Sequence, residues 1–303
     1  MTSKDVDNNP IVVSISCITY NHAPFIRQCL DGFLMQQTNF AFEVLIHDDA
    51  STDGTTEIIK EYEARYPDVI KPIYEEENQW VKGRRGSAVF NFPRARGKYI
   101  ALCEGDDYWT DPFKLQKQVD YLENNPDCVL TCHQYKILQG IKEESSTNWI
   151  QGISFYNITT FVSSEWFIQP LTVVFRAKSL DVSEYSRYEY AKDVTLFYYL
   201  LKQGNGYFFQ DEMGVYRLHC GGTYFNSSWA SKLISDLRTL NAISVVEGDR
   251  ISSVMLKRYL DKTMKNIGRK TLLKERRLFY SIWCQLRPYY SGAQLVKTML
   301  KLG

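Results

Sequence analysis

A chain of 303 residues with 44% hydrophobic and 14% aromatic residues can bury a sizeable core, which excludes disordered and fibrous classes. Its net charge of +1 conceals a division: residues 226–303 hold 15 Lys/Arg against 5 Asp/Glu, leaving 21 against 30 in residues 1–225. No apolar run approaches the roughly 18 residues of a membrane span, and the first ten residues are polar, unlike a secretory signal. The seven cysteines show no CxxC spacing and several sit in apolar runs, which fits reduced core thiols in a cytoplasmic protein and not structural zinc.

Taken in chain order, residues 11–18 form a near-continuous β-branched run, which predicts a strand covered on both faces and ending in Thr19-Tyr20-Asn21-His22. Pro24 then opens a predicted helix with Ile26, Cys29, Leu30, Phe33 and Leu34 on one stripe. A second strand over residues 42–47 ends in Asp48-Asp49. Residues 51–56 supply N-cap candidates for a helix reaching Tyr66, with Asp53 as a structural cap. Further strands are expected at 69–74, 99–103 and 128–133, with a helix over 112–124 between the last two. Residues 135–165 lose regularity, and 142–148 reads as a surface loop. A strand over 171–176 and a helix over 192–201, stopped by Gly204-Asn205-Gly206, precede a basic, helical remainder.

This alternation predicts an α/β fold with right-handed crossovers, a mostly parallel sheet flanked by helices, and ligands outside the carboxyl ends of the strands. Three of those ends carry polar clusters: Thr19-Tyr20-Asn21, Asp48-Asp49, and Glu104-Gly105-Asp106-Asp107. The topology predicts that they meet in one cleft. A carboxylate cluster at a strand end is costly unless a cation or hydrogen-bond donors compensate it. Mg2+ or Mn2+, which share carboxylate and phosphate oxygens, would do so and would point to a phosphorylated substrate. Ordinary turns and caps use the same residue types.

Three segments, Ser14-Ile15-Ser16-Cys17-Ile18-Thr19-Tyr20-Asn21, Ile46-His47-Asp48-Asp49-Ala50-Ser51-Thr52-Asp53-Gly54-Thr55 and Ala101-Leu102-Cys103-Glu104-Gly105-Asp106-Asp107-Tyr108-Trp109, resemble the family 2 glycosyltransferases of the GT-A nucleotide-sugar-binding fold. The resemblance covers roughly residues 11–225. It implies inverting transfer from a nucleotide diphosphate sugar, usually a UDP-sugar, with Mn2+ or Mg2+ at a DxD-type motif, in surface-polysaccharide synthesis. By the same resemblance, Tyr20 stacks on the base beside Thr19 and Asn21, and Asp48 accepts a hydrogen bond from the base. Its neighbour Asp49 is expected to be solvated. Asp106 meets ribose and metal, and Asp107 meets metal and diphosphate. Glu104 occupies a donor-facing position where aspartate is commoner, a departure from the pattern.

The resemblance extends to Tyr190-Ala191-Lys192-Asp193-Val194-Thr195-Leu196-Phe197, which implies Asp193 as general base; Glu189 is its fallback, and a helix cap is the structural alternative. Tyr216-Arg217-Leu218-His219 resembles the family's Tyr-Arg-x-His segment, which implies His219 as a metal ligand or a hydrogen-bond donor to phosphate. Gly221-Gly222 would permit a flap. Arg84, Arg85, Arg94, Arg96 and Lys98 are candidates to offset diphosphate charge. The expected organisation is a polar tail over 1–10, a catalytic domain over 11–225 and a basic helical extension over 226–303.

That extension also carries Trp229, Tyr259, Phe279, Tyr280, Trp283, Tyr289 and Tyr290. Such a surface suits peripheral contact with an anionic inner membrane face and a glycan or lipid-linked acceptor, or packing on the acidic domain. No nucleic-acid motif accompanies it. A sugar-nucleotide pyrophosphorylase would need a Gly-rich loop near the first strand, which is missing. Retention of Asp48, Asp106, Asp107 and Asp193 argues against a non-catalytic nucleotide-sugar-binding subunit.

Overall fold

A computed structural model describes residues 10–84, 86–146, 152–222 and 229–266. Two compact units divide the chain, one of residues 1–186 with 197–219, the other of 187–196 with 220–303. The first contains β1 (Ile11–Thr19), α1 (Ile26–Leu34), β2 (Ala41–Asp48), α2 (Thr55–Arg65), β3 (Ile70–Tyr74), α3 (Ser87–Phe90) and β4 (Tyr99–Leu102). It continues through β5 (Tyr108–Trp109), α4 (Lys114–Asn124), β6 (Cys128–Gln139), β7 (Lys142–Ser145), β8 (Phe155–Tyr156), α5 (Ile158–Ser163), β9 (Val174–Arg176) and α6 (Val182–Tyr185). After α7 (Asp193–Leu201) comes β10 (Asn205–Leu218).

One sheet runs in the order β3-β2-β1-β4-β9-β6-β10-β5, with β7 on β6 and β8 on β10. The expected parallel order holds through β3-β2-β1-β4. Antiparallel β9 then inserts between β4 and β6 and makes the sheet mixed. Thr19 pairs with Asp48, and Ser16 with Leu102, so the chain leaves β1, β2 and β4 along the same edge.

β1 is buried on both sides, as its β-branched run predicts, but the two sides differ in chemistry. Val13, Ile15 and Cys17 face the main core with Ile26, Leu30 and Phe33 of α1. The alternate residues are buried serines: Ser14 Oγ donates to Glu43 (2.7 Å), and Ser16 Oγ to Ser87 Oγ (2.9 Å). The Asn91 amide crosses this side and donates to Ser16 Oγ, the Cys17 carbonyl and the Leu45 carbonyl. A buried polar layer is tolerable because each of these groups finds a partner.

Two segments depart from expectation. Residues 142–145, predicted as loop, form β7, an exposed edge strand antiparallel to the end of β6. Its charged composition suits an edge, where alternation of apolar residues is not required. β10 was not foreseen: Gln210-Asp211-Glu212 interrupts its apolar pattern, and the register against β6 shifts on both sides of Glu212. A bulged strand loses the two-residue period that marks strands in sequence.

In the second unit, α8 (Trp229–Glu247) and α9 (Arg250–Asn266) pack against each other, burying Leu233, Leu237, Leu240, Ile243, Leu256 and Leu260. Gly248, at φ 62°, makes the turn between them, and Asp249 caps α9 by accepting from the Ser252 N–H (2.7 Å). Among the described residues no helix is long and apolar enough to cross a membrane. Phe279, Tyr280, Trp283, Tyr289 and Tyr290 lie outside the described residues, as does the side chain of Trp229.

α4 presents Leu115, Val119 and Leu122 to the core as its stripe predicts, and it also buries Lys114 and Gln118. Lys114 Nζ donates to Gln118 Oε1 (2.8 Å) and sits 4.0 Å from the Trp109 ring centroid. Burial pushes the Lys114 pKa down to about 7, against the pull of Cys103 and Asp111. Because the unfolded chain binds this proton up to its ordinary pKa of 10.5, the burial cost fades as pH rises from about 7 towards that value. Urea unfolding of wild type and Lys114→Met at pH 7 and 9.5 should show wild type gaining roughly 2–3 kcal/mol on the variant. A constant difference between the two proteins would refute the assignment.

Candidate active site

The loops that follow β1 and β2 are stitched to each other. The Asp49 N–H donates to the Thr19 carbonyl (3.0 Å), the Asn21 N–H to Ser51 Oγ (2.9 Å), and the Thr52 N–H to Asn21 Oδ1 (2.8 Å). The His22 N–H reaches Thr55 Oγ1 (2.8 Å), and the Ala23 N–H reaches Asp53 (3.0 Å). Asn21 and Ala50 both adopt positive φ, at 54° and 61°. Asparagine tolerates that region because its short amide can bond locally, here to Thr52. The turn leaves Thr19 buried and Tyr20 45% exposed, so Tyr20 presents its ring to solvent and does not close the core.

Asp48 is buried at the end of β2. Its carboxylate accepts from Ser51 Oγ (2.5 Å) and from Thr56 Oγ1, which fixes its orientation and leaves lone pairs for a further donor. Asp49, expected to be solvated, is buried as well: it accepts from the N–H groups of Gln79 (2.6 Å) and Trp80 (3.2 Å). These bonds fasten the segment after β3 to the end of β2. Asp53 accepts from Thr55 N–H (3.1 Å) and Thr55 Oγ1 (2.6 Å), one residue before Gly54 at the N-cap of α2, which agrees with a structural role.

The acidic run folds as a tight loop over the end of β1. The Gly105 N–H donates to the Ile18 carbonyl (3.0 Å), and a Cβ at Gly105 would lie 2.7 Å from Thr19 Oγ1. Only glycine allows so close an approach. Beyond it the two aspartates diverge. Asp106 turns toward His219, whose Nε2 is 3.0 Å from Asp106 Oδ2, and toward His22, whose Nε2 is 3.7 Å away. Asp106 Oδ1 and His22 Nδ1 are buried without a partner. Asp107 turns the other way and accepts from the Arg217 N–H (2.8 Å).

Their electrostatics diverge too. Burial alone would raise the Asp106 carboxyl, but the His219 hydrogen bond and the nearby imidazoles hold it below the usual range. Burial, with the charge of Asp106, pushes Asp107 well above it. Desolvation lowers the His22 pKa, against the pull of Asp106. Asp107 was expected at the metal. Its Oδ1 is bonded to the backbone of β10, and His22 also stands at Asp106. Glu104 is exposed and outside this group.

Arg217 closes the corner from β10. Its guanidinium donates to the Asp106 carbonyl (2.5 Å) and to Gln28 of α1, and it lies 4.2 Å from the Tyr108 ring centroid. Neither His22 nor Arg217 had been assigned a role of its own. His22 merely continues the polar end of β1, and Arg217 lies inside the Tyr-Arg-x-His segment. Those are the only local signals that either carries.

The basic residues ahead of the acidic run are engaged elsewhere. Arg96 pairs with Glu43 near the start of β2, Lys98 with Glu123 on α4, and Arg94 donates to the Lys71 and Ile46 carbonyls. Arg84 donates to Gln79, and Arg85 lies outside the described residues. Arg96 and Lys98 precede β4, whereas the acidic run follows it, so neither flanks the aspartates.

Asp193 belongs to residues 187–196 of the second unit. The Lys192 carbonyl accepts the first helical N–H groups, those of Thr195 and Leu196, so Asp193 is the first helical residue and not the cap. Its side chain is exposed, and the neighbouring protein mass still displaces enough hydration to push its pKa up to about 6, against the pull of Lys192. Glu189 is exposed, and residues 223–228, which include the remainder of the expected flap, lie outside the described residues.

A divalent cation fits the group around Asp106. Among the described residues His22, Asp106 and His219 bring ligand atoms within 4.8 Å of one another, and the unpartnered Asp106 Oδ1 is an anionic oxygen available to an ion.

Comparison with known proteins agrees with this architecture. Residues 14–182, more than half of the chain, match the family model described as glycosyl transferase family 2. An uncharacterized protein of Mycobacterium tuberculosis is 34% identical over 290 residues, covering 86% of this chain and 79% of that protein. The solved structure of S. aureus TarS (fragment 1–349) in complex with UDP superimposes with a TM-score of 0.66 at 17% identity, covering 91% of this chain and 80% of that one. A mannosyltransferase from Pyrobaculum calidifontis in complex with GDP-Man and Mn2+ gives a TM-score of 0.53 at 16% identity, covering 98% of this chain and 83% of that one. At such identities the likeness is one of fold, the GT-A architecture.

Replacing Gly105 by alanine tests the loop geometry. The new methyl must displace Thr19 or lift the acidic run, so Gly105→Ala should lower stability by about 1–3 kcal/mol in urea unfolding. Unchanged stability would mean that the loop does not rest on Thr19.

Proposed function

The chain belongs to glycosyl transferase family 2, and on that premise we propose that it moves a sugar, with inversion, from a nucleotide diphosphate donor to a glycan or lipid-linked glycan acceptor. A UDP-sugar is the donor class we favour. The observation that carries this reading is the convergence of Tyr20, Asp48 and the Asp106–His219 pair on one sheet edge, formed by strands whose register places Thr19 beside Asp48.

In this reading the exposed Tyr20 ring supplies a face for the base, a contact worth roughly 1–3 kcal/mol. Asp48, immobilised by Ser51 and Thr56, accepts a hydrogen bond from the base N–H. Thr19 and Asn21 shape the floor beside it, Asn21 chiefly by holding the turn. Asp106 and His219 would hold the cation, whose chemistry when bound is to neutralise charge on the departing diphosphate. Asp107 serves as a positioning residue: through the Arg217 N–H it keeps β10, and with it His219, against the acidic loop. Glu104, exposed after β4, is assigned to the donor side.

Asp193 is the proposed general base that takes the acceptor hydroxyl proton. A pKa of about 6 suits the task, because the group is ionised at neutral pH yet basic enough to accept a proton. The reaction class follows from the family and the site; the base and the acceptor are our assignments.

A donor screen that reads nucleotide release with Mn2+ or Mg2+ tests the reading. Asp106→Asn should lower turnover by about 10²–10³-fold. Asp193→Asn should lower kcat by about 10²–10⁴-fold with little change in donor binding. Since Asp193 must be deprotonated to act, wild-type kcat/KM should fall tenfold per pH unit below about 6. Full turnover by Asp193→Asn would remove the base assignment, and absence of nucleotide binding with any divalent ion would remove the donor reading.

A further inference from the structure

We propose that His22 is a direct ligand of the cation, and that the pair His22 and His219 makes this site prefer nitrogen-accepting ions, in the order Mg2+ < Mn2+ < Co2+. The inference rests on the reading of this corner as a cation site for a phosphorylated donor. It assigns a residue and a selectivity that the acidic motif does not contain.

The acidic motif by itself describes an all-oxygen site. The fold delivers something else. Asp107 is buried and its Oδ1 is engaged by the Arg217 N–H, while Glu104 is exposed. What faces Asp106 instead is two imidazoles, with ring centroids 6.1 Å apart and planes at 85°. His22 is held there by its backbone: its N–H is fixed on Thr55 Oγ1, and its carbonyl accepts from the N–H groups of Phe25 and Ile26 (both 2.8 Å) as α1 begins. The His219 ring is held by Phe25, with centroids 4.5 Å apart.

The separations suit co-ligands better than a hydrogen-bonded network. The His22–Asp106 distance of 3.7 Å is too long for a hydrogen bond. Two ligands bound side by side to one ion at about 2.0–2.2 Å stand roughly 3.0–3.5 Å apart, so a small closure of His22 would complete the shell. Asp106 Oδ1 is buried without a partner, a cost that an ion beside His22 Nε2 would relieve.

Ligand type then sets the selectivity. Mg2+ keeps its waters and prefers oxygen, whereas imidazole suits later transition ions, and affinity rises from Mn2+ to Co2+ at a site of nitrogen and oxygen donors.

The test is metal binding to the full-length protein without nucleotide, measured by calorimetry, with the visible spectrum of bound Co2+ as a second readout. Wild type should bind Co2+ more tightly than Mn2+, and Mn2+ at least tenfold more tightly than Mg2+. His22→Gln should weaken Co2+ binding by tenfold or more, change its spectrum, and leave Mg2+ within about threefold. His22→Asp, which returns an oxygen ligand, should narrow the gap between Mg2+ and Co2+. Equal affinity of wild type for Mg2+ and Co2+, or an unchanged Co2+ affinity and spectrum in folded His22→Gln, would overturn the inference. The donor reading fails separately: Co2+ binding as expected without any nucleoside diphosphate binding would refute that reading and leave this one standing. Metal-dependent turnover with undiminished Co2+ affinity in His22→Gln would do the reverse.

Discussion

In a parallel sheet the strand register decides which turns become neighbours. Here Thr19 lies beside Asp48 and Ser16 beside Leu102, so the turns after β1, β2 and β4 emerge along one edge. Every functional group described in the first unit depends on that alignment. The hydrogen bonds between the β1 and β2 turns, from Asn21 to Ser51, from Thr52 to Asn21 and from His22 to Thr55, convert alignment into a fixed floor. Gly105 then lets the acidic loop settle on Thr19, which it could do with no other residue.

The second organising fact is the division of labour between two adjacent aspartates. Neighbouring carboxylates in one buried loop cannot both be comfortable as anions. Here they point apart, and their surroundings separate them further: imidazoles keep Asp106 charged, while burial and the charge of Asp106 push Asp107 toward its protonated form against the pull of one backbone donor. The charged member sits where a cation and a diphosphate would need it. The other binds a strand more than a hundred residues away in sequence. Environments that drive two like groups apart in pKa are a common way of giving them different tasks.

Much of this was legible in the amino-acid pattern. The apolar runs of β1, β2 and β4 and the stripes of α1 and α4 announce themselves because burial is periodic in a strand or helix. Asp48 and Asp106 stand out in the sequence as candidate site residues because carboxylates at strand ends are costly without a purpose. β10 was not, since Gln210-Asp211-Glu212 and the register shifts beside them erase its period. The cationic run before the acidic motif misled for a related reason: sequence proximity placed Arg94, Arg96 and Lys98 near the aspartates, whereas pairing with Glu43 and Glu123 and bonding to the Lys71 carbonyl hold them elsewhere.

By itself the sequence determined the α/β class, the order of most of the main elements, the family and the strand ends that carry polar clusters, because those depend on local periodicity, turn residues and short motifs. Only the tertiary structure decided which of those residues face one another. That His22 meets Asp106 depends on Thr55, 33 residues further along, holding its backbone. That Asp107 is tied to β10 depends on Arg217, 110 residues away. Such outcomes follow from long-range register and from competition among hydrogen-bond donors for a single carboxylate, and neither leaves a mark on the residues flanking the site.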